Sequence, residues 1–193
     1  KSTGAEEVLE RVKTIAQGAG LIAGVEAELK VQAGDYEILV NRAGTMLLDR
    51  NLRWLGPVTY TAEEQEFAKA IQRATGKPEK GADGSVQPLE PFGKEPEGGS
   101  TDVGDVSWLV PTLHFSVATA PLETPWHAWP VVASSGMSIG HKGMMQAAKT
   151  LAITAVDLFQ DAKTRGEIQA EFAQQTKGFV YKPYIPPGPP PIP

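Results

Sequence analysis

The chain contains no cysteine, only three histidines and no run of basic residues. The lack of cysteine excludes disulfide bonds and thiolate metal sites, and three histidines are too few for a closed structural zinc site. The formal net charge of −5 argues against nucleic acid as a partner, since such binding depends on neutralising phosphates. No apolar run is long enough for a membrane span or a signal peptide, so we expect no membrane partner.

The remaining pattern is typical of a globular protein that mixes helices and strands. Apolar residues recur at helical spacing in five segments, residues 5–23, 41–54, 61–74, 139–161 and 167–176. Thr61 and Glu64 have the spacing of a capping box, which places the start of the third helix. Residues 25–32 alternate between apolar and polar side chains, which predicts a half-buried strand, and the apolar run 108–119 predicts a buried one. The sequence therefore predicts an α/β fold.

The polar chemistry is concentrated between residues 98 and 143. A glycine- and proline-rich loop, residues 76–100, leads into the acidic turn Gly-Gly-Ser-Thr-Asp-Val-Gly-Asp-Val-Ser-Trp at 98–108. Asp102 and Asp105 of this turn have two explanations of equal weight. They contact a polar substrate or support a metal-bound histidine, or they shape the turn and cap a helix for local reasons.

The three histidines differ in their surroundings. His141 falls in the first turn of a predicted helix between glycines, where a neutral imidazole could bind a metal ion, although a lone histidine is more often structural. His127 stands between Trp126 and Trp129 in a proline-rich loop, and either contacts substrate or belongs to a packed aromatic cluster. His114 falls in the middle of a predicted strand, and we expect no chemical role for it.

Several of these motifs together resemble the C-terminal half of the aminobenzoyl-glutamate-cleaving members of the aminoacylase and carboxypeptidase-like metallopeptidase family. The motifs are Ser-Thr-Asp-Val-Gly-Asp-Val-Ser-Trp at 100–108, Pro-Trp-His-Ala-Trp at 125–129 and Ser-Ile-Gly-His-Lys-Gly-Met at 138–144. The resemblance implies a two-domain fold in which a helix-on-sheet lid is inserted into an α/β catalytic domain. Residues 1–40 would be a remnant of the lid and dimerisation domain, residues 41–180 the C-terminal part of the catalytic domain, and residues 181–193 a proline-rich tail.

The resemblance also implies a reaction and a set of site residues. Members of the family hydrolyse an amide next to a carboxylate, as in aminobenzoyl-glutamate or an N-acyl amino acid, with a two-metal site that holds zinc, or manganese or cobalt as alternatives. His141 falls at the position of a metal ligand. Ser100, Thr101 and Asp102 fall where the family lines its substrate site, and His127 falls in a loop beside it.

Other parts of the family's active site have no counterpart in this chain. The resemblance places the other metal ligands, the catalytic glutamate and a lid histidine in a preceding, missing N-terminal half. We therefore expect no catalytic residue here, weak metal binding, an inactive isolated chain and a homodimer or larger oligomer. The leading interpretation is a fragment of a cytoplasmic metal-dependent amidohydrolase that acts on a small amide or dipeptide-like substrate. The alternative is a non-catalytic dimerisation or binding module.

Overall fold

Seven helices make up the regular secondary structure in the computed structural model, which describes residues 2–92, 101–184 and 188. They are α1 Ser2–Ala23, α2 Arg42–Leu55, α3 Ala62–Ala74, α4 Val103–Ser107, α5 Trp129–Ser135, α6 Ser138–Gln160 and α7 Ala162–Gln175. The five helices predicted from apolar spacing are confirmed as α1, α2, α3, α6 and α7. The capping box is confirmed as well, because Thr61 and Glu64 each accept a hydrogen bond from the other's main-chain N–H. The two short helices, α4 and α5, were not predicted.

The predicted α/β fold is wrong for the part of the chain that the structure describes, where no residue lies in a β-strand. Neither the strand of the lid remnant nor the strand of the catalytic part forms there. Alternation of apolar and polar residues indicates which side chains share a face, but a strand also needs a second extended segment for its main-chain hydrogen bonds. The side chains of residues 25–28 are exposed on both faces of the segment. Their alternation therefore does not correspond to one buried face and one solvated face.

The second predicted strand starts inside a helical turn. Trp108 caps α4, and the N–H groups of Leu109 and Val110 both donate to the carbonyl of Val106 at 3.0 Å. These bonds use the main-chain donors that a strand would need, and Pro111 has none to offer. The residues that follow, 113–119, alternate between half-buried and exposed side chains, but they pair with no other segment among the described residues.

The chain divides into two compact units. The first comprises the described residues within 1–41, 95–112 and 172–193, and the second those within 42–94 and 113–171. The first unit contains α1 and α4, and the second contains α2, α3, α5 and α6. The assignment of residues 1–40 to a lid and 41–180 to a catalytic part stays a prediction.

The second unit has a small core with polar links around it. Ala68, Ala82 and Ile139 are buried together, and Tyr60 and Phe67 pack against them. Further linkage is polar: Gln72 of α3 donates to the carbonyl of Leu122 at 2.9 Å, and Asn51 of α2 donates to Thr154 of α6 at 3.1 Å. Because both amides are almost fully buried, these bonds fix the positions of the loop and of α6 more narrowly than apolar packing would.

Candidate functional site

His141 lies in the first turn of α6 and its side chain is exposed. Its main-chain N–H donates to the carbonyl of Met137 at 3.0 Å, so the backbone at this position is held in the helix. The neighbouring residues Ile139, Gly140 and Gly143 are buried. The helix thus presents the imidazole to solvent while the residues around it pack inward.

The two glycines beside His141 are packing positions. A Cβ added to Gly140 would lie 2.6 Å from the Cα of Ser135, and one added to Gly143 would lie 2.9 Å from the side chain of Thr119. Both added atoms would also overlap main-chain carbonyl oxygens, those of Ser135 and Ala118. The close approach that these glycines allow is therefore made by the chain's own backbone.

Lys142, the next residue, points inward and forms an ion pair. Its ammonium donates to Glu64 Oε2 at 2.6 Å and to the carbonyl of Thr59 at 2.9 Å, and lies 5.7 Å from the centre of the Tyr60 ring. Glu64 is only 8% exposed. The hydrogen bond from Lys142, followed by those from Ser138 and the Thr61 N–H, lowers the pKa of Glu64 to about 2. The carboxylate is therefore ionised at neutral pH and ties the start of α3 to the start of α6.

His127 occupies a strained position in the loop before α5. Its φ of 58° is in the left-handed region, which a residue other than glycine seldom adopts. The neighbouring Trp126 and Trp129 are 69% and 55% exposed, so they are not buried in a packed aromatic cluster. His127 itself is exposed, and its role as a substrate contact stays a prediction.

The acidic turn is described from Thr101 onward, and Ser100 lies outside the described residues. The carbonyl of Thr101 accepts the N–H of Gly104 at 3.0 Å, and its hydroxyl accepts the N–H of Val103 at 3.3 Å. Asp102 stands at the N-cap of α4, but its exposed side chain makes no capping hydrogen bond. Of the two explanations for Asp102, helix capping is therefore not what the structure shows.

The carboxylate of Asp105, in contrast, accepts hydrogen bonds from two other parts of the chain. One carboxylate oxygen accepts the N–H of Tyr36 at 3.1 Å and the other accepts the hydroxyl of Tyr181 at 2.7 Å. The hydrogen bond that the Tyr181 hydroxyl donates to Asp105 is the largest cause of the raised pKa of Tyr181. Asp105 therefore links α4 to residues 36–39 and to the chain after α7.

Two further side chains of the same motif hold residues 36–39. The Ser107 hydroxyl accepts the N–H of Leu39 at 2.8 Å, and the indole of Trp108 donates to the carbonyl of Glu37 at 2.8 Å. A Cβ added to Gly104 would lie 2.9 Å from the carbonyl carbon of Tyr36 and would overlap its oxygen. We call Gly104, Asp105, Ser107 and Trp108 the α4 clasp.

Aromatic side chains surround the clasp. Tyr36 contacts four rings, with centroid distances between 4.8 and 6.0 Å, those of Trp108, Phe179, Tyr181 and Tyr184. The Tyr36 hydroxyl also donates to the carbonyl of Lys182 at 2.9 Å. Sequence reasoning did not find this cluster. The residues that could have indicated it are Tyr36, Tyr181 and Tyr184. Tyr36 is far from the other two in sequence, and the three follow no periodic pattern.

A separate cleft of about 610 Å³ lies within the second unit. Its walls are formed by α2 and by two extended segments, residues 83–90 and 114–118. His114, for which no chemical role was predicted, lines this cleft, and His127 and His141 do not. The lining is largely apolar. Its charged members are Asp49, Asp83 and Glu90, and Asp49 is paired with Arg53 at 2.8 Å.

The described residues do not by themselves form a metal site. Within residues 2–92, 101–184 and 188, no group of three histidine, aspartate or glutamate side chains is placed to hold a metal ion. His141 therefore belongs to no such group among the described residues. Thr101 and Asp102 belong to the first unit, whereas His127 and His141 belong to the second.

In the part of the chain that the structure describes, none of the helices combines the length and the apolar character needed to span a bilayer.

Comparison with known proteins supports the resemblance predicted from the motifs. No family model matches the chain, and no solved structure matches it. The chain is 32% identical to a p-aminobenzoyl-glutamate hydrolase subunit of Escherichia coli (strain K12) over an alignment of 212 residues. The alignment covers 95% of this chain and 43% of the relative, so the chain spans less than half the length of that protein. The predicted similarity to this kind of protein is therefore confirmed, and its extent is consistent with one half of the relative.

Proposed function

We propose that this chain is part of a metal-dependent amidohydrolase that cleaves an amide next to a carboxylate. The substrate class is p-aminobenzoyl-glutamate or an N-acyl amino acid. The observation that carries the proposal is the 32% identity to a p-aminobenzoyl-glutamate hydrolase subunit over 95% of the chain. The exposed His141 on a fixed helix turn agrees with it, because a ligand or substrate contact must be both accessible and held in place.

The proposal includes a companion polypeptide, equivalent to the part of the relative that this chain does not span. His141 lies on an apolar face of α6 that is exposed along the helix. His141 and Phe159 are eighteen residues apart, about five turns, so they lie on one line, and Phe159 is 86% exposed. Other large apolar side chains exposed on this face are Met144, Met145, Leu151 and Val156. An exposed apolar face of this length is typical of an interface, and a partner that covers it would also reach His141.

Metal dependence is part of the same proposal. Zinc, with manganese or cobalt as alternatives, would contact His141, while Thr101, Asp102 and His127 would contact the substrate together with Ser100. Since no group of three potential ligands is placed to hold a metal ion within the described residues, we expect the isolated chain to bind these metals weakly and to be inactive. The general base would be a glutamate of the companion polypeptide, as the family resemblance implies.

The test is a chimera in which this chain replaces the aligned region of the Escherichia coli relative. We expect the chimera to release p-aminobenzoate from p-aminobenzoyl-glutamate, and the isolated chain to release none. His141→Ala should lower the activity of the chimera by on the order of 100-fold or more, because even outer partners of a metal ligand contribute about 10–100-fold. His114→Ala is the matched control and should change it little. Equal activity of the two variants would remove His141 from the site.

The second candidate is a dimerisation module, and α1 favours it. Val8, Val12, Ile15 and Ile22 recur at helical spacing on one face of α1, and all four are exposed, Ile22 by 92%. Two copies of this face could bury each other as a homodimer. If the chimera is inactive and Ile15→Glu converts a dimer of the isolated chain into a monomer in sedimentation experiments, the module is the better description.

A further inference from the structure

We propose that Lys142 and Glu64 are positioning residues that fix the direction in which His141 points. This inference rests on the proposed function, since it gives His141 a ligand-contacting role. It concerns the ion pair rather than His141 itself, and the charged ends of the pair are turned toward the protein rather than toward a substrate. Glu64 is buried, and the Lys142 ammonium, on a side chain that is 35% exposed, contacts Glu64, the Thr59 carbonyl and the Tyr60 ring.

The first turn of α6 is packed inward but has no side-chain cap. Its N-cap residue, Met137, makes no side-chain capping bond, so no N-cap side chain accepts from the N–H groups at this helix end. The Lys142–Glu64 pair supplies an alternative anchor: the Glu64 carboxylate also accepts the Thr61 N–H at 2.7 Å, so one carboxylate holds the starts of both α3 and α6.

The inward packing of the residues on either side of His141 determines the direction in which its side chain points. Gly140 contacts the main chain of Ser135, Gly143 contacts that of Ala118, and Lys142 reaches Glu64. Successive residues of a helix are rotated by about 100°, so fixing positions 140, 142 and 143 toward the protein leaves position 141 toward solvent. Loss of the ion pair would free this turn without changing the histidine itself.

Removing one charge of the pair and removing both charges should have different effects on the second unit. Removing one partner leaves the other charge unpaired, whereas removing both leaves a neutral contact. Lys142→Met should therefore loosen the first turn of α6, and Lys142→Met combined with Glu64→Gln should loosen it while keeping the unit folded. Lys142→Arg keeps the charge and should restore most of the wild-type behaviour.

The experiment measures amide hydrogen exchange in the isolated chain. In Lys142→Met and in the double variant, the His141 amide should exchange about ten- to a hundredfold faster, the range expected on loss of a hydrogen bond to a charged group. The Thr154 amide, in the same helix, should change little in the double variant. Lys149→Met, an exposed lysine of α6, is the control and should leave both rates unchanged.

A second readout separates positioning from general stability. The ring ¹H–¹⁵N signals of His141 should shift in Lys142→Met and return toward their wild-type positions in Lys142→Arg. Equal acceleration at His141 and Thr154 in the double variant, or an unchanged His141 ring, would overturn the inference. These measurements need no activity. Failure of the proposed function would instead appear as full activity of the His141→Ala chimera.

Discussion

The position of Gly104 in the α4 clasp predicts that even a methyl side chain there would be destabilising. Replacing it with alanine adds one methyl group, which would overlap the carbonyl oxygen of Tyr36. The φ of Gly104 is not in the left-handed region, so the substitution creates a steric conflict without strain of its own backbone. Because the atom it meets is main chain rather than the end of a flexible side chain, residues 36–39 would have to move away from α4.

The size of the effect follows from the bonds that this movement breaks. Three hydrogen bonds join the clasp to residues 36–39, those from Tyr36 N–H to Asp105, from Leu39 N–H to Ser107 and from the Trp108 indole to Glu37. At about 0.5–1.5 kcal/mol each, their loss costs about 1.5–4.5 kcal/mol. Alanine stabilises a helix by about 0.5–1 kcal/mol relative to glycine, which offsets part of this loss. We expect Gly104→Ala to lower the free energy of unfolding by about 0.5–4 kcal/mol.

Gly18→Ala is the matched control in α1 of the same unit. A Cβ at Gly18 meets nothing within 4 Å, so only the helix-propensity gain remains, and we expect about 0.5–1 kcal/mol of stabilisation. Urea denaturation gives the change in stability. Amide exchange at Tyr36 and Leu39 shows whether the loss is in the first unit, since two units need not unfold together. If Gly104→Ala matches Gly18→Ala in stability and leaves exchange at Leu39 unchanged, the clasp does not hold residues 36–39.

Two further predictions concern single buried side chains. Ser107→Ala removes the acceptor of the Leu39 N–H and should cost about 1–3 kcal/mol in urea denaturation, whereas Ser116→Ala, at an exposed position, should change stability little; equal stabilities would contradict the assignment. The pKa of Glu64 is lowered from 4.5 to about 2 in the folded protein, so its ionised form stabilises the second unit fully above the unfolded pKa and this contribution is lost as the pH falls from about 4.5 to 2. The stability of Glu64→Gln should consequently depend less on pH in that range, and parallel pH profiles for the two proteins would refute the role of the carboxylate.

The helices could be predicted because each carries its own signals. Apolar spacing locates α2 and α3, and the Thr61–Glu64 capping box fixes the start of α3 to within one residue. A strand is different, since half of its main-chain bonding belongs to another segment. Residues 25–32 have the side-chain pattern of a strand and no partner within the described residues, so a correct pattern led to a wrong fold class.

The short helices were missed for a different reason. α4 has five residues, two of which are Gly104 and Asp105, and both residue types are unfavourable in isolated helices. The helix is held by tertiary bonds to residues 36–39 and to Tyr181 rather than by local propensity. Such bonds join positions about 70 residues apart, and the sequence gives no sign of which of them will pair.

Two of the three motifs that resemble a known family, those at 100–108 and 138–144, contain both packed and exposed residues. In the acidic turn, Gly104, Asp105 and Ser107 bind the chain's own backbone and side chains, whereas Asp102 is exposed and makes no capping bond. The same division recurs at the start of α6, where Gly140, Lys142 and Gly143 face inward.

His141 is the exposed member of that second group. In the proposed function Asp102 would contact the substrate and His141 the metal ion, and each is an exposed residue of a motif whose packed members hold the local backbone.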